Sequence, residues 1–286
     1  MRRTALAVSL SMLLTACATA PAVAPTVPTE ASADRARNPL LYSVVWLPSS
    51  GEYRALSLQA FSAAENALAR AVADPTWTAA AEQPSAASGL PPAVIVDIDE
   101  TVLDNSPFEA RLIEDAGSFT PETWAAWVEE RNADPIPGAV EFARQAAARG
   151  VTMFYVSNRD AEGETATRDN LIRVGFPVSD QVDTVLLRGE REEWKTSEKT
   201  ARRAWIAERY RIIAMIGDDL GDFLPNARVS RQEREAMVDR YRDWWGTRWF
   251  VIPNPMYGSW ETSLTSGATT PDERMERLMQ SLRPAR

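Results

Sequence analysis

The chain of 286 residues carries 31 Lys and Arg against 40 Asp and Glu, a formal net charge of -9, with no His and one Cys. Without imidazole it cannot run Ser-His-Asp hydrolysis, hold His-ligated zinc or haem, or form a phosphohistidine, and a single thiol excludes an intramolecular disulfide framework and a multi-cysteine metal site. The acidic balance argues against a nucleic-acid polymer as partner, because phosphate backbones select clustered Lys and Arg, so carboxylates, hydroxyls, lysines and an oxygen-ligated metal remain for chemistry.

Met1, Arg2 and Arg3 precede an apolar stretch from Ala5 to Leu14 and then Thr15-Ala16-Cys17. A basic start, a short apolar segment and small residues before a cleavage point predict a signal peptide over residues 1–16, too short to remain as a membrane span. Leu14-Thr15-Ala16-Cys17 resembles the bacterial lipobox, which implies that Cys17 carries the lipid and that the anchor is the only contact with a membrane. Ala18 in place of Asp after that Cys is similar to lipoproteins sent to the outer membrane, implying a protein that faces the periplasm or the cell surface. Residues 17–38, rich in Ala, Pro and Thr without apolar periodicity, predict a flexible tether, and residues 39–286 the folded domain.

Tyr53, Leu56, Leu58, Phe61, Ala64, Leu68 and Val72 recur at helical spacing and predict a long amphipathic helix, or two, over Ser50 to Ala73. Next comes Ala93-Val94-Ile95-Val96, a continuous apolar run ending in Asp97, with similar runs at residues 152–156, 184–187, 212–216 and 249–252. Runs apolar on both faces suit central strands of a parallel sheet covered by helices. Helical patterns between several of them, as at Gly138 to Arg149 and Ser197 to Arg209, predict an α/β fold with a Rossmann-like, doubly wound, mainly parallel sheet. The stretch from about residue 104 to 135, with Trp124 and Trp127, is too long for a simple loop and predicts a small helical cap.

In such a sheet ligands bind beyond the carboxyl ends of the strands. The residues there are Asp97-Ile98-Asp99-Glu100-Thr101, Ser157-Asn158-Arg159 and Gly217-Asp218-Asp219-Leu220-Gly221-Asp222. A lone Asp-x-Asp commonly caps a turn, but acids at the ends of two separate strands indicate a site.

These segments match the haloacid dehalogenase-like phosphohydrolase pattern of Asp-x-Asp-x-Thr, then Ser or Thr, then Lys, then a second acidic pair. Together with Ser50-Gly51-Glu52-Tyr53, Trp124-Ala125-Ala126-Trp127 and Pro253-Asn254-Pro255-Met256-Tyr257-Gly258-Ser259-Trp260, they resemble the bacterial class C acid phosphatases over about residues 50–264. That resemblance implies a secreted or outer-membrane lipoprotein that hydrolyses phosphomonoesters, including 5'-nucleotides, with Mg2+. Asp97 would then attack phosphorus and form an aspartyl-phosphate, and Asp99 would protonate the leaving oxygen and later take a proton from water. Mg2+ would sit on Asp97 and Asp218, with Asp222 in support and the Asp99 backbone carbonyl completing the set. Ser157 and Asn158 would bind phosphoryl oxygens.

Lys195 and Lys199 both lie near the place expected for the phosphate-binding lysine; Ser197-Glu198-Lys199-Thr200-Ala201-Arg202 meets the family pattern better, and Lys199 is chosen. Arg159 and Arg202 receive no role. Trp124 and Tyr257 would sandwich a nucleobase, while Trp127, three residues after Trp124, is expected to pack. Asp219, where many members carry Asn, and Gly221 depart from the pattern without removing a catalytic group. Without His, an acid-shifted optimum would have to come from carboxylates such as Asp99. Two other readings stay open, a metal-dependent glycosyltransferase that uses Asp-x-Asp to hold a nucleotide sugar and a nucleotide-binding surface lipoprotein without turnover; a homodimer also stays open.

Overall fold

The computed structural model describes residues 38–84 and 87–283; the expected signal peptide, Cys17 and nearly all of the expected tether lie outside the described residues. The five apolar runs form one parallel sheet of β1 (Pro92–Val96), β4 (Thr152–Asp160), β5 (Val185–Arg188), β6 (Arg211–Gly217) and β7 (Trp249–Val251), in the order β5-β4-β1-β6-β7. The chain steps outward to β5 and then restarts on the other side of β1, so the strand order reverses at the carboxyl end of β1. That is where a doubly wound sheet opens a crevice.

Alternation along each strand explains why the runs are apolar throughout. Val94 and Val96 join Phe61, Leu68, Phe142 and Tyr155 in one core cluster, whereas Ala93 and Ile95 join Phe154, Val156, Ile206 and Trp249 in a second on the opposite face. Helices α2 (Gly51–Ala73) and α5 (Ala139–Ala148) cover the first face, and α7 (Thr200–Ala207) covers the second. Burial of each large side chain contributes about 1.5–3 kcal/mol. Ser50 caps α2 by accepting the Tyr53 N–H at 3.0 Å. At the other end Arg211, the first residue of β6, donates from Nη1 to the carbonyls of Ala71, Asp74 and Trp77 at 2.8, 2.9 and 3.0 Å, tying the helix exit to the sheet.

A second N-terminal helix, α1 (Leu41–Ser49), was not legible in the sequence. Its adjacent β-branched Val44 and Val45, with Pro48 in the last turn, disfavour helix locally, but burial of Val44 and Leu47 in the first cluster overrides that preference. Between β1 and α5 lies an insert of α3 (Ser106–Glu114) and α4 (Pro121–Glu130). Its two ends are joined by an antiparallel ladder in which β2 (Leu103–Asp104) pairs with β3 (Asp134–Pro135). Helix α6 (Glu164–Val174) follows β4, α8 (Leu220–Phe223) follows β6, and α9 (Arg231–Arg240), α10 (Ser259–Leu264) and α11 (Pro271–Gln280) complete the order. Among the described residues no helix is long and apolar enough to cross a membrane.

Candidate active site

The carboxyl ends of β1 and β6 bring three acids together. Oxygens of Asp97, Asp218 and Asp222 all lie within 4.8 Å of one another. Asp97 is held at the strand end by its own N–H, which donates to the Ile216 carbonyl at 3.0 Å. Beyond it the chain turns sharply, with the Thr101, Val102 and Leu103 N–H groups all converging on the Ile98 carbonyl at 3.3, 2.9 and 2.8 Å. Glu100, in that turn, has φ +57°. Thr101 points back to the acids and donates to Asp218 Oδ1 at 2.9 Å, while Asn254 Nδ2 donates to Asp218 Oδ2 at 2.9 Å. Asp222 is admitted by Gly217: a Cβ there would overlap the Asp222 carboxylate, so only glycine lets α8 fold back against the end of β6.

The structure places the two candidate lysines differently. Lys199 Nζ donates to Asp97 Oδ1 and, at 2.7 Å, to Asp222 Oδ1, and its side chain is 6% exposed. The Lys195 side chain is 62% exposed and pairs with Glu192 in solvent. The position just before α7 turns Lys199 inward, where it is the buried cation facing both acids. Asp222 Oδ2 accepts the Asp219 N–H at 2.9 Å, and no hydrogen bond from the described residues reaches Asp97 Oδ2.

Three carboxylates against one ammonium leave the cluster with a formal charge of -2. Burial pushes the Asp97 carboxyl up to about 7, opposed by Lys199 and reinforced by Asp222 and Asp99. Burial, with Asp222 and Asp97, raises Asp218 well above the usual carboxylate range, and burial raises Asp222 as well in spite of Lys199. For Lys199 burial works against the charge, yet Asp222 and Asp97 outweigh it and the pKa is raised. Buried like charges of this kind are costly unless compensated. One divalent cation on these hard oxygen donors would cancel the excess, so the residues fit a metal of that class.

Asp99 belongs to a separate network. Its Oδ1 accepts Asn105 Nδ2 at 3.0 Å and Arg159 Nε and Nη2 at 3.0 and 2.8 Å, and its Oδ2 accepts the Ser157 hydroxyl at 3.2 Å. The Asp99 carboxylate is therefore outside the three-acid group, which leaves its backbone carbonyl for any part in holding a cation. Asn158 Oδ1 accepts from Arg202 Nη2 at 2.7 Å, and Arg202 Nη1 donates to the Ser157 carbonyl. A fully buried arginine thus fixes the Ser157-Asn158 pair.

A profile of the HAD superfamily, subfamily IIIB (acid phosphatase), matches residues 16–260. The chain belongs to that family. Among solved structures it is similar to the class C acid phosphatase from Bacillus anthracis, with a TM-score of 0.75 and 29% identity over 86% of this chain and 97% of that one. A structure of the same Bacillus anthracis enzyme with tungstate bound matches to the same extent. Curated relatives include acid phosphatase 1 of Solanum lycopersicum, 25% identical over 57% of each chain, and the stem 31 kDa glycoprotein of Glycine max, 25% identical over 57% of this chain and 58% of that one. The chain spans a little over half the length of these curated relatives.

HAD subfamily IIIB membership gives the glycosyltransferase reading no support. Three site residues were left without a role by the sequence: Thr101 and Asn254, inside the segments that carried the resemblance, hold Asp218, and Asn105, just beyond the first of those segments, holds Asp99. Trp127 does more than pack. It is buried, and its Nε1 donates to Asn105 Oδ1 at 2.8 Å, fixing the amide that reaches Asp99. Asp219, the departure from the family pattern, accepts the Gly221 and Ser259 N–H groups at 2.7 and 2.6 Å and so joins α8 to α10. Trp124 and Tyr257 are both half-buried against the first core cluster. The Trp124 ring meets Phe108 edge-on at 5.2 Å and has the Arg159 guanidinium 5.6 Å from its centroid. Nothing ties the Tyr257 ring to it among the described residues.

Proposed function

We propose that this protein is an acid phosphatase that hydrolyses phosphomonoesters, 5'-nucleotides among them, with Mg2+ and through an aspartyl-phosphate. The observation that carries the reading is the Asp97 carboxylate held through Oδ1 by a buried lysine, with no hydrogen bond from the described residues on Oδ2, beside a second carboxylate on an independent network. Asp97 Oδ2 attacks phosphorus and the P–O bond to the leaving group breaks, while Asp99 gives its proton to the departing oxygen. Water then attacks phosphorus, Asp99 takes the proton back, and the acyl-phosphate bond breaks to restore Asp97. Lys199, the Ser157 hydroxyl and Asn158 hold the phosphoryl oxygens.

Asp97, Asp218 and Asp222 would hold Mg2+ together with the Asp99 carbonyl. When bound, the cation supplies charge cancellation between an anionic nucleophile and an anionic ester. Asp97 and Asp99 thus have different duties because different neighbours hold them, Lys199 in one case and Arg159 with Asn105 in the other. Stacking of a nucleobase on Trp124 and Tyr257 would give nucleotides their preference. The lipobox-like segment ending at Cys17 supports a lipid anchor, and Ala18 after it supports attachment to the outer membrane, facing the periplasm or the surface. Impermeant phosphate esters would then be cleaved outside the cytoplasm.

Release of inorganic phosphate from nucleoside 5'-monophosphates and sugar phosphates tests this directly. Excess chelator is expected to abolish release and added Mg2+ to restore it; full activity in chelator would refute the metal assignment. A rate that does not distinguish nucleotides from sugar phosphates would remove the stacking role of Trp124 and Tyr257.

A further inference from the structure

We propose that Arg159 is a positioning residue that turns the Asp99 carboxylate so that Oδ2, not Oδ1, faces the reacting ester. The inference rests on the acid-base role given to Asp99 above. Arg159 lies in β4, two residues beyond Ser157, and is 3% exposed. Its Nε and Nη2 both donate to Asp99 Oδ1, at 3.0 and 2.8 Å, and Asn105 Nδ2 adds a third donor to the same oxygen at 3.0 Å. Oδ2 receives only the Ser157 hydroxyl, at 3.2 Å. A guanidinium can only donate and stays charged, so an oxygen already facing three N–H groups has no room for an O–H of its own. Exchange of a proton with the ester is thereby left to Oδ2.

The arginine is itself held from three directions. Nη1 donates to Thr167 Oγ1 in α6 at 3.1 Å, the backbone N–H donates to Ser157 Oγ at 3.0 Å, and the guanidinium lies 5.6 Å from the ring centre of Trp124 in the insert. Asn105, the third donor, is fixed in turn by Trp127. The orientation of Asp99 is thus set jointly by the sheet, by α6 and by the insert.

Leaving-group dependence separates positioning from stability. Proton donation matters most when the departing oxygen is basic, so a misplaced Asp99 slows alkyl esters, such as nucleoside 5'-monophosphates, more than aryl esters, such as p-nitrophenyl phosphate. In Arg159→Lys, kcat for the alkyl ester is expected to fall about 100-fold and that for the aryl ester less than about 5-fold, because one ammonium cannot reproduce the fork. Thr167→Val, which removes only the hydroxyl under Nη1, is expected to show the same bias at about 3–10-fold, and guanidinium ion added to Arg159→Ala is expected to restore part of the alkyl-ester rate. Asp99→Asn serves as the reference and should show the bias most strongly. If Asp99→Asn shows the bias while folded Arg159→Lys and Thr167→Val slow both esters equally or neither, the positioning role is overturned alone. Absence of the bias in Asp99→Asn overturns the acid-base reading of Asp99 and the role of Arg159 with it.

Discussion

Asp97→Asn is expected to lower kcat by about 10⁴-fold or more while the protein stays folded. The amide keeps the shape of the carboxylate and can still accept from Lys199 Nζ through its carbonyl oxygen, so the contacts around β1 and β6 survive. What is lost is the negative oxygen at Oδ2, and an amide does not displace an alkoxide from phosphorus. Stability should not suffer. Asp97 is buried among Asp218, Asp222 and Asp99, and its carboxyl is pushed up to about 7 by that environment; removing one like charge from such a group relieves repulsion. Phosphate release and a thermal melt measured side by side check both halves. Activity within about 10-fold of wild type would remove Asp97 as the nucleophile.

Lys199→Met is expected to lower kcat by about 10²–10³-fold, the scale of losing one preorganised donor to a developing oxyanion. It should also destabilise the metal-free protein by about 3–5 kcal/mol at pH 8, since it strands buried charges. That penalty depends on pH, and the direction follows from the three acids of the cluster. Folded-state values for Asp97, Asp218 and Asp222 are raised, so the folded protein holds protons that the unfolded chain has already released. Such groups contribute stability fully below the unfolded carboxyl pKa of about 4, and it is lost as pH rises through the folded values, about 7 for Asp97. Without the ammonium those of Asp97 and Asp222 move higher still. Denaturant melts of both proteins in chelator should therefore nearly coincide at pH 4.5 and separate by pH 8. Wild-type turnover in Lys199→Met would show that another group binds the phosphate.

The strands were legible because they are buried on both faces. Val94 and Val96 serve one cluster and Ala93 and Ile95 the other, so periodicity collapses into a continuous apolar run that ends at the acids. The acids were legible because the crevice of a parallel sheet lies at strand ends. Other features depend on contacts far apart in the chain. Arg159 meets Asp99 across 60 positions, Lys199 meets Asp97 across 102, and Trp127 reaches Asn105 across 22. The family spacing favoured Lys199 over Lys195, but only the structure places the first inward against the acids and the second in solvent, where the chain enters α7. Likewise α1 has weak helical character of its own and owes its place to Val44 and Leu47 packing in the core.

The site divides its charged groups into two sets that share no side chain. Asp97, Asp218, Asp222 and Lys199 form one, and Asp99, Arg159, Asn105 and Ser157 form the other. In the proposed mechanism, separation of this kind would let one carboxylate act as nucleophile while its neighbour two residues away handles protons. The proposed mechanism requires phosphorus to become bonded to Asp97 during turnover. Rapid acid quench of the enzyme with a phosphate-labelled ester, followed by peptide mapping, tests for that bond: a hydroxylamine-labile label is expected on the peptide carrying Asp97. Turnover with no labelled protein, or label on Ser157 instead, would contradict it.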